Sequence, residues 1–261
     1  MSVLAPTVIE ADNISVAWGR TLLHVCDSSK SSLSPVVVSI SNFSPPLPGE
    51  IVDVREATDA ALVRLAMNPV RVSALTIIPY EMWCRRKKPS CQEFTSFCLK
   101  RLLPRLKKLD ARNRLGTYFE RMMDFVGERK GKSYTVNQLL FVINLLKNRK
   151  KWPRESALQI SCFDPAKDHT GQPVRGFPCL QQVSIAHDNK GSIALSAYYP
   201  TQYIFDRAYG NYLGLCQLGA FIAHESGLKF VRLNCFVGRP ELGTVSKKNI
   251  KELVRLVREN V

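Results

Sequence analysis

Apolar and polar positions along the chain follow two periods, and each predicts a different kind of element. Pro35-Val-Val-Val-Ser-Ile40 is strongly β-branched and Ile14-Ser-Val-Ala-Trp18 alternates, so Val8 to Gly49 reads as short strands separated by turns. Ser44-Pro-Pro-Leu-Pro-Gly49 is a loop, because its three prolines exclude helix and central strand alike. Ser73 to Pro79 predicts a strand ending at the proline, and Leu158 to Phe163 another. Val183–Ala186 and Ile193–Tyr199 predict a hairpin around Asp188-Asn189-Lys190-Gly191, and Phe230–Val237 a last strand. Helical spacing marks Asp53–Met67, Tyr118–Val126, Val136–Lys147 and Ser246–Glu259, the last capped by Ser246. It also marks Ser90–Leu109, where Ser90 caps the start, Phe94, Phe97, Cys98, Leu102 and Leu106 share a face, and Pro104 should kink or break the helix. Trp152-Pro153 ends the region that follows, and Asp164 to Arg175 is a long polar loop. Asn211–Ser226 is apolar on every side, which predicts a core helix with Gly227 as its C-terminal cap. The fold class is α+β: a mixed or antiparallel sheet with a central buried helix and flanking helices.

Composition changes this picture little. The chain has 261 residues, 45% hydrophobic and 23% charged, enough for one large domain over residues 1–261. No apolar run reaches membrane-spanning length and no signal-peptide layout opens the sequence, so a cytoplasmic protein without a membrane partner is expected. The eight cysteines form no Cys-x-x-Cys pair and no cluster with histidine at zinc spacing, so no metal is expected. Cys84, Cys91 and Cys98 recur every seven residues, as on one helical face. His24, His169, His187 and His224 are scattered without metal or triad spacing.

Charge adds more. The net +15 concentrates in Arg85-Arg86-Lys87-Lys88, Lys100 to Arg114, Arg129 to Lys132 and Lys147 to Arg154. It favours anionic partners, nucleotides or nucleic acid, against the plain alternative of a solvated basic surface. Aromatic and basic residues do not interleave as on a stacking platform.

Two residues stand out as candidate chemistry. Cys179 follows Pro178 at the start of a strand, where a nucleophile can be presented at a sheet edge; Arg154 and Arg175 are the arginines nearest to it in sequence and are candidates to lower its pKa. Asn211 follows Gly210 at the mouth of the apolar helix. It reads as an N-cap, or as a carboxamide whose acceptor and donor match the O4 and N3–H edge of uracil.

The order of motifs resembles the thymidylate synthase and pyrimidine hydroxymethylase superfamily, in a divergent form. Gly116-Thr-Tyr-Phe-Glu-Arg121 resembles the family's Tyr-Gly-x-x-Trp-Arg element, Asn137 to Asn148 its Asp-Gln-Leu helix, and Ile160-Ser-Cys-Phe-Asp-Pro165 its Val-Ser-Ala-Trp-Asn-Pro strand. Pro178-Cys179 falls at the catalytic Pro-Cys-His, Gly210-Asn211 at Pro-Phe-Asn, and Gly227-Leu228 at a Gly-Leu that follows the helix. The match covers more than half the chain, and residues 1 to about 110 diverge.

The resemblance implies a thymidylate synthase-like fold, a homodimer joined through the sheet, and a pyrimidine C5 methyl- or hydroxymethyltransferase drawing on 5,10-methylenetetrahydrofolate. It implies Cys179 as nucleophile, Asn211 as reader of the pyrimidine, Tyr118 in the pocket wall and Glu81 as a proton-shuttling carboxylate. The family's histidine after the cysteine is Leu180 here, its phosphate-binding Arg-Ser is Pro200-Thr201, and its partner-subunit arginines fall near Ser156-Ala157 with Arg154 close by. Glu241 and Gly243 stand where the family contacts the sugar, and Tyr203 where it has aspartate. Gln202, Arg207 and Arg239 are left to contact an anion, which points to a non-standard nucleotide. The alternative is a catalytically degenerate descendant that binds a nucleotide or nucleic acid.

Overall fold

A computed structural model describes residues 5–28, 34–109, 116–148, 154–169, 179–188 and 190–261. The chain opens with β1 (Thr7–Ala11), α1 (Ile14–Asp27) and β2 (Val36–Ser41). The expected strand at Ile14–Trp18 is thus the first turn of a helix. Asn13 accepts hydrogen bonds from the Ser15 and Val16 amides, and this cap fixes a helical period that buries Ile14, Ala17, Trp18 and Leu22. α2 (Val52–Arg64), α3 (Val70–Ile77) and α4 (Tyr80–Arg85) follow. α3 replaces the expected strand at Ser73–Pro79. The β-branched residues there yield to packing on a glycine-rich helix described below.

α5 (Cys91–Phe97) runs through a π-helical turn (Cys98–Leu102) into α6 (Leu103–Leu109). The Ser90 hydroxyl and Glu93 carboxylate form a capping box. Pro104 does not break the helix: it sits at the second position of α6, just past the π-turn. The three cysteines at heptad spacing lie on two helices; Cys91 and Cys98 are buried and Cys84, on α4, is half-buried. α7 (Tyr118–Met123) ends earlier than its sequence pattern, and β3 (Phe125–Arg129) and β4 (Lys132–Val136) form a hairpin where only a basic run was read. α8 (Gln138–Lys147) precedes β5 (Gln159–Ser161), and α9 (Pro165–Asp168) lies in the expected polar loop. Trp152-Pro153 and Gly176–Pro178 lie outside the described residues. β6 (Gln182–His187) and β7 (Ser192–Tyr203) form the expected antiparallel pair, followed by α10 (Tyr209–Ser226), β8 (Lys229–Glu241) and α11 (Lys251–Asn260).

The six-stranded sheet has the order β1-β2-β8-β7-β6-β5. The β1–β2 and β7–β8 pairs are parallel and the others antiparallel, so the sheet is mixed. Parallel neighbours need a crossover, and α1 and α10 supply it. Val36, Val38, Ile40, Leu195, Tyr199, Leu233 and Cys235 point to the helical side and are buried. The alternate positions form the other face, where Val8 is 63% exposed and the exposed Tyr198 and Phe236 rings sit 5.7 Å apart.

α10 is the core element. Sixteen of its residues are buried, and it ends on Gly227 at φ 68°, the expected left-handed cap. A Cβ at Gly210 would lie 2.5 Å from the Val70 carbonyl, and one at Gly214 would lie 2.9 Å from that of Ala74; the glycines let α3 seat its backbone on α10. Among the described residues no helix is long and apolar enough to cross a membrane.

Candidate active site

The chain leading into α10 is held from three directions. The Trp18 indole donates to the Ile204 carbonyl at 2.8 Å in the core, the Phe205 amide donates to Leu242 O at 2.9 Å, and the Thr244 hydroxyl donates to the Asp206 carboxylate at 2.9 Å. Between these anchors, Ile204–Ala208 forms a π-helical turn, a wide turn often found at functional sites. From this turn the Arg207 charge reaches the Cys179 thiol and lowers its pKa, and its Nη1 donates to the Ser73 hydroxyl at 3.4 Å.

Cys179 is an exposed residue whose thiol has desolvated surroundings. Desolvation is the larger effect and raises its pKa; Arg207 offsets part of it. Tyr118, at the start of α7, accepts a hydrogen bond from the Leu180 amide at 3.4 Å and feels the Cys179, Cys162 and Arg207 charges. Burial pushes the Tyr118 phenol well up. Leu180, where the family has histidine, is fully buried, an environment in which an apolar side chain needs no partner.

Asn211 does not cap α10, because the helix begins at Tyr209 with Ala208 as its cap. It is 5% exposed, and among the described residues no hydrogen bond engages its carboxamide. It stands four residues after Arg207, across the junction of the π-helical turn and α10. Arg207 and Tyr118 therefore lie within electrostatic reach of Cys179, and Asn211 follows Arg207 by four residues.

The other expected site residues are placed elsewhere. Glu81, on α4, pairs with Arg71 and lies 3.9 Å from Arg85; it lines a cavity of about 130 Å³ with Ala74, Ile78 and Gln217. Gln202 is buried on β7 and accepts from the Tyr212 hydroxyl at 3.3 Å, while its Nε2 has no partner among the described residues. Arg154 is exposed and donates to the Ser156 hydroxyl at 3.4 Å. Arg239 pairs with Glu241 at 2.8 Å on the wall of a second cavity, about 490 Å³, beside His24 and Lys247. Arg175 lies outside the described residues.

Tyr199 was not singled out by sequence. It is fully buried, its hydroxyl has no partner among the described residues, and it lies in electrostatic reach of Tyr118, Cys162 and Cys179. Its inward direction was readable from the alternation Ile193, Leu195, Ala197, Tyr199.

One network holds three of the six segments that carried the resemblance. Arg121 Nη1 donates to Asp168 Oδ2 at 2.6 Å and to Cys162 O at 2.9 Å, while Nη2 donates to Asp168 Oδ1 at 2.9 Å. Gln138 Nε2 donates to Ser161 O at 2.8 Å, and its Oε1 accepts from the Ser161 amide at 2.8 Å. The Arg121 charge holds the Asp168 carboxyl below its ordinary pKa against the opposing effect of burial. Among the described residues no cluster of histidine, cysteine and carboxylate could hold a metal. No protein-family model matches the chain, and no curated protein matches it.

Proposed function

We propose that the protein activates a pyrimidine ring at C5 through attack by Cys179, as a diverged thymidylate synthase-like methyl- or hydroxymethyltransferase. The observation that carries this reading is the neighbourhood of Cys179: a thiol within electrostatic reach of the Arg207 guanidinium, and, four residues on from Arg207, a buried carboxamide that no hydrogen bond engages among the described residues. The Arg121–Asp168 and Gln138–Ser161 contacts support it, because they tie together the segments whose motifs suggested the family.

In this reading the Asn211 amide accepts from N3–H and donates to O4. The Cys179 thiolate bonds to C6, the C5–C6 pair moves toward the C4 carbonyl, and Asn211 and Arg207 stabilise the charge that develops there. C5, now nucleophilic, takes an electrophile or a solvent proton. Loss of the original C5 proton and expulsion of the thiolate restore the ring. The raised thiol pKa makes Arg207 part of nucleophile generation.

The one-carbon donor is a folate by resemblance. The cavity that contains Glu81 holds about 130 Å³, below the roughly 300–1,000 Å³ of ligand-sized sites, so a folate does not fit it. The homodimer belongs to the same proposal, with the open sheet face around Tyr198 and Phe236 as its surface. So does a cytoplasmic location.

The test is tritium release from 5-tritiated uracil nucleosides and nucleotides, with and without methylenetetrahydrofolate. The reading expects release that is abolished in Cys179→Ala and strongly reduced in Asn211→Ala. Ligand-induced thermal stabilisation in wild type and Cys179→Ala alike, without tritium release from either, supports the second reading, a binding descendant.

A further inference from the structure

The positive charge is concentrated in one stretch that the site above does not use. Residues 85–109 contain nine lysines and arginines against one acidic residue, Glu93, a net +8 of the chain's +15. Lys107 pairs with Glu120 at 2.6 Å, Arg86 lies 3.9 Å over the Phe97 ring, and Lys88 lies 5.5 Å from that of Trp83. Lys87, Lys100, Arg101, Arg105 and Lys108 are exposed and have no acidic partner among the described residues. Lys147, at the end of α8, lies in electrostatic reach of Cys91 and extends the same flank.

The backbone adds an independent sign. Lys87 and Lys88 are consecutive left-handed residues, at φ 61° and 54°, in the loop between α4 and α5. Their amides close that loop on the Cys84 and Trp83 carbonyls, each at 3.0 Å. Glycine or asparagine would hold this conformation with less steric strain, yet both positions carry a cation.

The geometry points to a face, from the α4–α5 loop through α6, that binds the phosphate backbone of a nucleic acid without reading its sequence. The rise along the helix sets Arg101, Arg105 and Lys108 roughly 5–6 Å apart, a row suited to a polymer of evenly spaced charges rather than to one anion. A membrane surface fits less well, because the apolar residues Phe94, Cys98 and Leu103 are committed to the core. Trp83 is buried and Phe97 lies beneath Arg86, so neither is free to stack on bases, and readout stays with the phosphates. This inference does not rest on the chemistry of Cys179.

The experiment measures anisotropy of short fluorescein-labelled RNA and duplex DNA of several sequences, titrated with the full chain between about 50 and 200 mM salt. Wild type should bind all sequences similarly, with affinity falling steeply as salt rises. The variant K100Q/R101Q/R105Q/K108Q should lose at least about ten-fold in affinity and flatten the log–log salt slope by about 3, at roughly 0.7–0.9 per lost phosphate contact. The control K229Q/R232Q/K251Q/R255Q removes four exposed cations elsewhere and should bind within about two-fold of wild type after the shared charge effect. Lys87→Gly should weaken binding while leaving the melting temperature unchanged or higher, which separates lost charge from lost fold. No binding by wild type, an equal loss in the control, or preferential binding of anionic phosphatidylserine vesicles would each overturn the proposal.

Discussion

Asp168→Asn reports directly on the network beneath the candidate site. The Asp168 side chain is 7% exposed and that of Arg121 15%, so both charges are largely removed from water. The carboxylate takes two bonds from the guanidinium, at 2.6 and 2.9 Å, and a third from the Asp164 amide at 2.8 Å. Asparagine keeps one acceptor and turns the other into an NH₂ group facing a donor. Removing one partner of a buried pair costs about 3–5 kcal/mol; the partial exposure of Arg121 places this case near the lower end, about 3 kcal/mol. For a chain of this size that is a fall in Tm of about 6–12 °C, read by calorimetry at pH 7.

The pH dependence follows from the sign of the shift. The native pKa of Asp168 is depressed, so its stabilisation is fully present above the ordinary carboxylate value and is lost as pH falls through the native value. The gap between wild type and variant should therefore narrow below about pH 4. A shift under about 2 °C at pH 7, or a gap that does not change with pH, would refute this reasoning. The effect also reaches the site: Arg121 holds the Cys162 carbonyl, and the Cys162 amide donates to Gln181 O at 2.8 Å, two residues from Cys179.

Three further outcomes are expected. In the native protein Cys179 should be the first cysteine alkylated by iodoacetamide, more slowly at pH 7 than an ordinary thiol, and Arg207→Gln should slow it further; peptide mapping across pH checks this, and Cys162, Cys216 and Cys235 should react only after unfolding. Gly210→Ala should destabilise by about 2 kcal/mol in urea titrations, since its Cβ would meet the Val70 carbonyl and Ser73 Cβ at 2.5 Å. Tyr199→Phe should raise Tm slightly, by removing a buried hydroxyl without a partner, while lowering tritium release if that hydroxyl serves the ligand.

Elements whose local signals agreed were legible in the sequence. α10 was apolar all round and ended in glycine, and β6 and β7 alternated around a polar turn. Where signals conflicted, packing decided. The β-branched run in α3 became helical because Gly210 and Gly214 offer a groove that a helix backbone fills. Ile14–Trp18 alternates over five residues, too few to outweigh the Asn13 cap. The β3–β4 hairpin was hidden because Lys130-Gly131 was read as part of a basic run; Gly131 takes φ 71° at that turn.

Cys179 and Asn211 could be named from motif order, but the electrostatic reach of Arg207 to the thiol could not. Arg207 lies 28 residues on in sequence, and the π-helical turn at Ile204–Ala208, anchored through Trp18, Leu242 and Thr244, holds it within electrostatic reach of the thiol. Tyr118 reaches the same place through the Leu180 amide, a contact that motif order does not encode.

The most direct test of the central claim is a crystal structure of the protein soaked with a uracil nucleoside or nucleotide. The account predicts C6 of the ring at bonding or contact distance from the Cys179 sulfur, with O4 and N3 on the Asn211 carboxamide and the Arg207 guanidinium alongside. A ring bound elsewhere, or Asn211 turned away from a pyrimidine that does reach the sulfur, would contradict it.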